Sequence, residues 1–180
     1  MTTVIANQFL AGASNAKACR LTSKNERVKL KLGIISDTHV SAIEEIPVTI
    51  RKAMTDVDLI IHAGDFTHKA VLDGLQTLGK VRAVRGNMDS SELKGILPEK
   101  DLFELNGRKI GLIHGSGSPW GIAEMVRSQF SGVDIIILGH SHEPCNRYVQ
   151  GVLLFNPGQA KNSFGLLTID EGINARIVRA

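Results

Sequence analysis

Four of the six histidines in this 180-residue chain fall into short groups with acidic, amide and glycine residues. The groups are Asp37-Thr38-His39, Gly64-Asp65, Gly86-Asn87, His114-Gly115 and Gly139-His140-Ser141-His142. Asp37, Asp65, Asn87, His114 and His140 follow one another at intervals of 28, 22, 27 and 26 residues. Together they offer three carboxylate or carboxamide oxygens and four imidazoles. Such a mixed set suits Mn²⁺, Fe, Zn²⁺ or Ni²⁺ better than Ca²⁺ or Mg²⁺ alone. Seven ligands are too many for one ion but suit two that share a carboxylate. Two ions about 3.5–4 Å apart can hold a hydroxide between them and clamp a phosphate during in-line attack. A single Asp-x-His is more often a cap and a structural histidine. Five groups at regular intervals are not independent accidents, and metal binding is the reading they support.

The intervals match the length of a strand plus a crossover, and the apolar pattern supplies the strands. Leu30–Ser36 is a buried strand ending at Asp37, Val57–Ala63 ends at Gly64-Asp65, and Val81–Val84 precedes Arg85-Gly86-Asn87. Helical spacing covers Glu44–Met54 and Ala70–Leu78, with Gly79 as a stop, so this half reads as βαβ units. After Asp101 the pattern turns to hairpins: Leu102–Leu105 and Lys109–Ile113 flank Asn106-Gly107, a strong two-residue turn signal. Val133–Leu138 follows a helix near Ile122–Phe130. Two more hairpins centre on Gln150-Gly151 and Glu171-Gly172. The expectation is two sheets packed face to face and covered by helices. Parallel strands would then bring the chemical residues to one edge, where open α/β sheets bind ligands. The glycines before Asp65, Asn87 and His140, and after His114, would allow sharp turns and close backbone approach.

Length and composition bound the rest. One domain is expected over 28–180, with 1–27 as an extension whose small and polar residues show no period. The formal net charge of +3 resides in that extension, which carries Lys17, Arg20, Lys24 and Arg27 against Glu26. The remaining 17 basic and 17 acidic residues cancel, so no bulk charge draws the body to membrane or long nucleic acid. Apolar runs reach four residues, as at Ile135–Leu138, far short of the ~20 of a membrane span. Cys19 and Cys145 form no metal or redox motif, and a reducing cytoplasm is the expected home.

The ordered set Asp37-x-His39, Gly64-Asp65, Gly86-Asn87, His114-Gly115 and Gly139-His140-x-His142 resembles the calcineurin-like metallophosphoesterases. The small size and the Asn156-Pro157-Gly158 segment resemble its compact branch of phosphodiesterases and the retromer subunit of the same fold. The resemblance spans residues 29–178 and implies an α/β fold, a four-layer α/β/β/α sandwich with two mixed sheets flanked by helices. It implies one metal on Asp37, His39, Asp65 and His142, and another on Asp65, Asn87, His114 and His140, with Asp65 bridging. The implied cofactors are two divalent ions, Mn first, with Ni, Zn, Fe or Mg as alternatives. A metal-bridging hydroxide would attack phosphorus, and Asn87 would help stabilise the phosphoryl oxygens. Asp89 is placed to orient a histidine or water, or else to cap a helix starting near Ser90 or Ser91. Many members of the wider family carry His after Gly-Asn; here Met88 stands there and cannot move a proton.

Weaker candidates are His62 and His68 near the site, Arg85 as a phosphate contact, and Trp120 as a pocket wall. Gly139-His140-Ser141 mimics a nucleophile elbow, but Glu143 and Pro144 follow where a glycine and a helix are needed. Gly115-Ser116-Gly117 lacks the third glycine of a dinucleotide loop. The expected function is a phosphoesterase acting on a small phosphoester, diester before monoester on the strength of the resemblance alone. The rival is a catalytically silent protein-binding scaffold, against which stands the complete ligand set. A homo-oligomer is left open.

Overall fold

The structure is a computed structural model and describes residues 28–117 and 121–180. The expected alternation of strand and helix occupies the first half. β1 (Leu30–Ile35), β2 (Leu59–His62) and β3 (Val81–Ala83) run parallel, joined through α1 (Val48–Met54) and α2 (Lys69–Leu78). α3 (Ser91–Ile96) then leads to the hairpin of β4 (Lys100–Leu105) and β5 (Arg108–Ile113). α4 (Ile122–Ser128) and β6 (Ile135–Ile137) follow, then β7 (Cys145–Val149), β8 (Val152–Asn156), β9 (Ser163–Ile169) and β10 (Ile173–Arg179).

Among the described residues ten strands form two five-stranded mixed sheets, ordered β10-β9-β1-β2-β3 and β4-β5-β6-β8-β7. The hairpin turns carry the residues their geometry requires. Asn106-Gly107 and Gln150-Gly151 all have positive φ, as two-residue hairpin loops of the favoured twist demand. Asn106 Nδ2 also donates to Val28 O at 2.6 Å and Ile169 O at 3.0 Å, tying this turn to the other sheet.

The period of two along each strand sorts the apolar side chains into three cores. Ile34, Ile61, Leu112, Ile135, Ile137 and Phe155 meet between the sheets. Ile35 and Ile60 face outward to Ile50 and Met54 of α1 and Val71 and Leu75 of α2. Ile136, on the outer face of the second sheet, packs with Ile122 and Val126 of α4. Helix, sheet, sheet and helix are therefore the four layers.

One helix differs from expectation. Glu44–Met54 is not continuous: a 3-10 turn covers Ile43–Glu45, and α1 starts at Val48 after Pro47. Ile46 before the proline adopts φ −69° and ψ 133°, the extended conformation that the proline ring imposes on its predecessor. No helix of the described residues is long and apolar enough to cross a membrane. The extension 1–27, Cys19 and Trp120 lie outside the described residues.

Candidate metal centre

β1, β2, β3, β5 and β6 each end at one edge of the molecule, and each is followed by a member of the chemical set. The loops there are laced together by main-chain bonds: Asp37 N to Gly64 O at 3.0 Å, His39 N to Asp65 O at 3.3 Å and Gly139 N to His114 O at 3.2 Å. Asp37, His39, Asp65, His140 and His142 all have φ between 49° and 67°. Left-handed backbone costs an ordinary residue about 1–3 kcal/mol, and such strain gathers where function needs it. The other described non-glycine residues with positive φ are Thr67, beside Asp65, and the hairpin residues Asn106 and Gln150.

The side chains converge. Asp37 is fully buried, and its Oδ2 accepts from Ser36 Oγ at 2.6 Å and from His140 N at 3.2 Å. That leaves Oδ1 facing His142 Nε2 at 3.2 Å, His39 Nε2 at 3.8 Å and His114 Nε2 at 3.9 Å. Asp65 Oδ1 accepts from Met88 N at 2.8 Å, and Oδ2 faces His114 Nε2 at 3.3 Å and His39 Nε2 at 3.8 Å. His114 lies with Nδ1 2.7 Å from Ala63 O, which fixes the proton on Nδ1 and turns the Nε2 lone pair inward. Asp37 Oδ1, His39 Nε2 and His114 Nε2 are buried without a hydrogen-bond partner. Three unpartnered ligand atoms aimed at one region are what a bound cation would satisfy, and the residues present fit one.

Two clusters have ligand atoms close enough to share an ion: Asp37, His39 and His142, and Asp37, Asp65 and His114. Asp37 belongs to both. Asp65, the bridge implied by the family pattern, stands between His39 and His114 through its Oδ2. Asn87 and His140 meet beside these, with Oδ1 3.1 Å from Nδ1. His140 Nε2 lies 2.9 Å from Gly117 O, so each of its ring nitrogens faces an oxygen acceptor. The rings of His114 and His140 cross edge-on at 5.3 Å.

Charges at the site are coupled. Burial opposes a charge on His114, yet the adjoining Asp65 carboxylate and then Asp37 outweigh it and hold its pKa above the ordinary imidazole value. Burial likewise works against the Asp65 carboxylate, but His114 and the Met88 amide prevail and lower its pKa. His62 behaves oppositely: burial, reinforced by His114, holds its pKa well below the usual value. Its Nδ1 accepts from Gly64 N at 3.1 Å, and Nε2 lies 3.2 Å from Thr38 Oγ1. Stacked on Phe66 at 3.4 Å, it supports the Thr38 and Gly64 loops from beneath.

The supporting residues are where sequence reasoning fell short. Asp89 does not hydrogen-bond to a histidine: Oδ2 accepts from Gly86 N at 2.7 Å and Asp65 N at 3.2 Å, and Oδ1 from Thr67 N at 2.8 Å. Nor is it the cap of α3, since Ser90 fills that position and accepts from Leu93 N. Buried Asn156 donates to Gly139 O at 2.9 Å and Ser141 Oγ at 3.0 Å, bracketing His140. The Asn-Pro-Gly pattern signalled a turn, but nothing in it pointed to these partners. A Cβ at Gly86 would overlap the Asp65 carboxylate, and one at Gly139 would overlap Ser36 Oγ. Arg85 is engaged by Glu99 at 3.0 Å and Lys94 O at 3.2 Å, and exposed His68 meets Thr67 Oγ1 at 2.9 Å. Met88 is 59% exposed, so its main chain faces Asp65 while its side chain faces solvent.

Known proteins share both sequence and shape with this chain. A family model described as the calcineurin-like phosphoesterase superfamily domain matches residues 30–171. A probable metallophosphoesterase of Methanothermobacter thermautotrophicus is 40% identical over 159 residues, covering 82% of this chain and 91% of that protein. A phosphodiesterase of Methanocaldococcus jannaschii is 31% identical over 148 residues, covering 72% and 84%. Among solved structures, an archaeal phosphodiesterase superposes with a TM-score of 0.70 at 26% identity, over 84% of this chain and all of the other. Vps29 of Entamoeba histolytica, solved with Zn²⁺, gives 0.65 at 27% identity, over 83% and 99%.

Proposed function

The chain belongs to the calcineurin-like phosphoesterase superfamily, and from that premise we propose that it is a phosphodiesterase working with two divalent cations, Mn²⁺ foremost. The observation that carries this reading is the trio of buried, unpartnered ligand atoms Asp37 Oδ1, His39 Nε2 and His114 Nε2. Asp37, His39, Asp65 and His142 would hold one cation; Asp65, Asn87, His114 and His140 would hold the other. Bound cations supply a polarised water as nucleophile and positive charge against the phosphoryl oxygens.

The chain's own side chains do the rest. Asn87 directs its carboxamide at the phosphoryl group. His140, braced by Gly117 O, keeps one ring nitrogen for that neighbourhood. Met88 offers no proton to a departing alkoxide, so aryl and other good leaving groups are favoured. General-acid help is typically worth 10²–10⁴-fold. The diester preference rests on the phosphodiesterases among its relatives and structural neighbours.

A protein-binding scaffold is the second reading, favoured by the likeness to Vps29. The test is hydrolysis of an aryl phosphodiester and an aryl phosphomonoester by the full chain with Mn²⁺, Ni²⁺, Zn²⁺, Mg²⁺ or chelator, beside Asp65→Asn. Metal-dependent diester cleavage that is lost in the variant supports the proposal. Metal binding without turnover of either ester overturns it in favour of the scaffold.

A further inference from the structure

A cavity of about 380 Å³ opens on one side of the candidate centre, with Asn87 and His114 in its wall. That is within the size range of small-molecule sites and several times what a tetrahedral phosphate fills. On the other side of the centre His142 is exposed. A phosphate held by the candidate ligand set has this cavity as a sheltered direction.

The lining has two chemistries. Ile113, Met125 and Val126 form an apolar wall in which Val126 is fully buried and the flexible Met125 thioether is 36% exposed. Arg85 and Lys94 also line the cavity. Arg85 is held in place by Glu99 and by Lys94 O, which leaves a fixed guanidinium plane of the kind that stacks on flat groups. Lys94 gives its ammonium to Asn87 O at 2.8 Å, a carbonyl and not a carboxylate. Two cations against the single carboxylate of Glu99 leave the lining one charge positive, before any metal is added.

The geometry points to a phosphate ester with a planar, non-cationic, aryl-type arm as the substrate class, its arm seated in the cavity lined by Met125 and Arg85. This rests on the phosphoesterase reading. Thioether sulfur meets aromatic rings favourably, a buried ring gains from the apolar wall, and a cationic arm meets like charge. The apolar wall does not suit a bare phosphate.

Phosphonates test this without depending on turnover, because their carbon–phosphorus bond resists hydrolysis. The Mn²⁺- or Zn²⁺-loaded full chain would be titrated calorimetrically with phenylphosphonate, methylphosphonate and 2-aminoethylphosphonate. The Zn²⁺ form would also be followed through the ¹³C-labelled methionine methyls. Phenylphosphonate should bind at least about tenfold more tightly than methylphosphonate, a difference of about 1.4 kcal/mol, and 2-aminoethylphosphonate more weakly than either. The ring should shift the Met125 methyl upfield, and Met125→Ala should shrink the phenyl-to-methyl ratio towards one. Equal affinities with no Met125 shift overturn the inference, and if aryl diesters are still cleaved the hydrolase reading stands. Absence of binding by every phosphonate overturns it too, and with no ester turnover takes the hydrolase reading down as well.

Discussion

Asp89→Asn separates two roles for a carboxylate that sits next to the candidate centre. The side chain is 4% exposed and accepts three main-chain N–H groups from two ligand-bearing loops. Asparagine matches it in shape but has one oxygen. If that oxygen keeps the Gly86 and Asp65 amides, the new NH₂ faces the Thr67 N–H, donor against donor. One unsatisfied buried donor costs about 1–3 kcal/mol, and exchanging a charged for a neutral acceptor on the other two costs about 1 kcal/mol more. The total of about 2–4 kcal/mol is a sizeable part of the 5–15 kcal/mol typical of a domain. At about 2–4 °C per kcal/mol for a chain of this size, the melting temperature should fall by about 4–16 °C. The assay is thermal unfolding by circular dichroism with chelator and with saturating metal, alongside calorimetric metal titration. Because Asp65 and Asn87 ride on the clamped loops, metal affinity should fall as well. Ser90→Ala, which removes only the cap of α3, should cost about 1 kcal/mol and leave metal affinity alone. Should Asp89→Asn melt within about 1 °C of the wild type and bind metal normally, the clamp is refuted. Lost hydrolysis with unchanged melting and affinity would instead place Asp89 in the chemistry.

Other perturbations probe different supports. Gly86→Ala forces a methyl into the Asp65 carboxylate, so metal affinity should drop at least about tenfold by calorimetry, and unchanged affinity would contradict the close approach. Asn156→Ala strands Gly139 O and Ser141 Oγ in a buried setting and should cost about 1–3 kcal/mol in urea unfolding, with a weaker metal isotherm; no loss would show that water replaces the amide without consequence. Saturating metal at 100 times its dissociation constant should stabilise the fold by about 2.7 kcal/mol, and an unchanged melting temperature would count against a preformed site. In chelated protein, the raised His114 pKa means that its contribution is present below the unfolded value near ~6.5 and is lost as pH rises through the higher folded value. Urea midpoints of the wild type should therefore fall over that rise while those of His114→Gln stay flatter, and parallel curves would refute the coupling. Met88→His should speed esters with poor leaving groups more than aryl esters; a uniform change in initial rates would argue against missing proton donation.

How much of this was legible follows from range. The parallel strands, the three hairpins and the strand-end placing of the candidate ligands announce themselves locally, through apolar runs, Asn-Gly and kindred turns, and glycine beside Asp65, Asn87, His114 and His140. Asp89 and Asn156 do not, because their partners are main-chain atoms of loops brought close only by the sheet: Asp89 reaches back 24 residues to Asp65, and Asn156 reaches 17 to Gly139. A carboxylate two residues after a candidate ligand reads as a helper of that ligand, whereas the loop geometry turns it towards amides. At Pro47 two local signals conflict: apolar spacing continues through Ile46 and Ile50, while the proline decides the backbone.

The left-handed candidate ligands carry the same argument one step further. At Asp37, His39, Asp65, His140 and His142, ordinary residues occupy a conformation that glycine adopts freely, so local preference opposes the site five times over. What holds them is external: Gly64 O on Asp37 N, Asp65 O on His39 N, Asp37 Oδ2 on His140 N and the amides gathered by Asp89. The geometry of the candidate ligands is thus a property of the joined loops. Among the described residues, unpartnered buried ligand atoms and left-handed backbone coincide at His39 and Asp37. At these two residues a strained backbone carries an unsatisfied side-chain atom, a combination that folding alone does not favour and whose second half cation binding would satisfy.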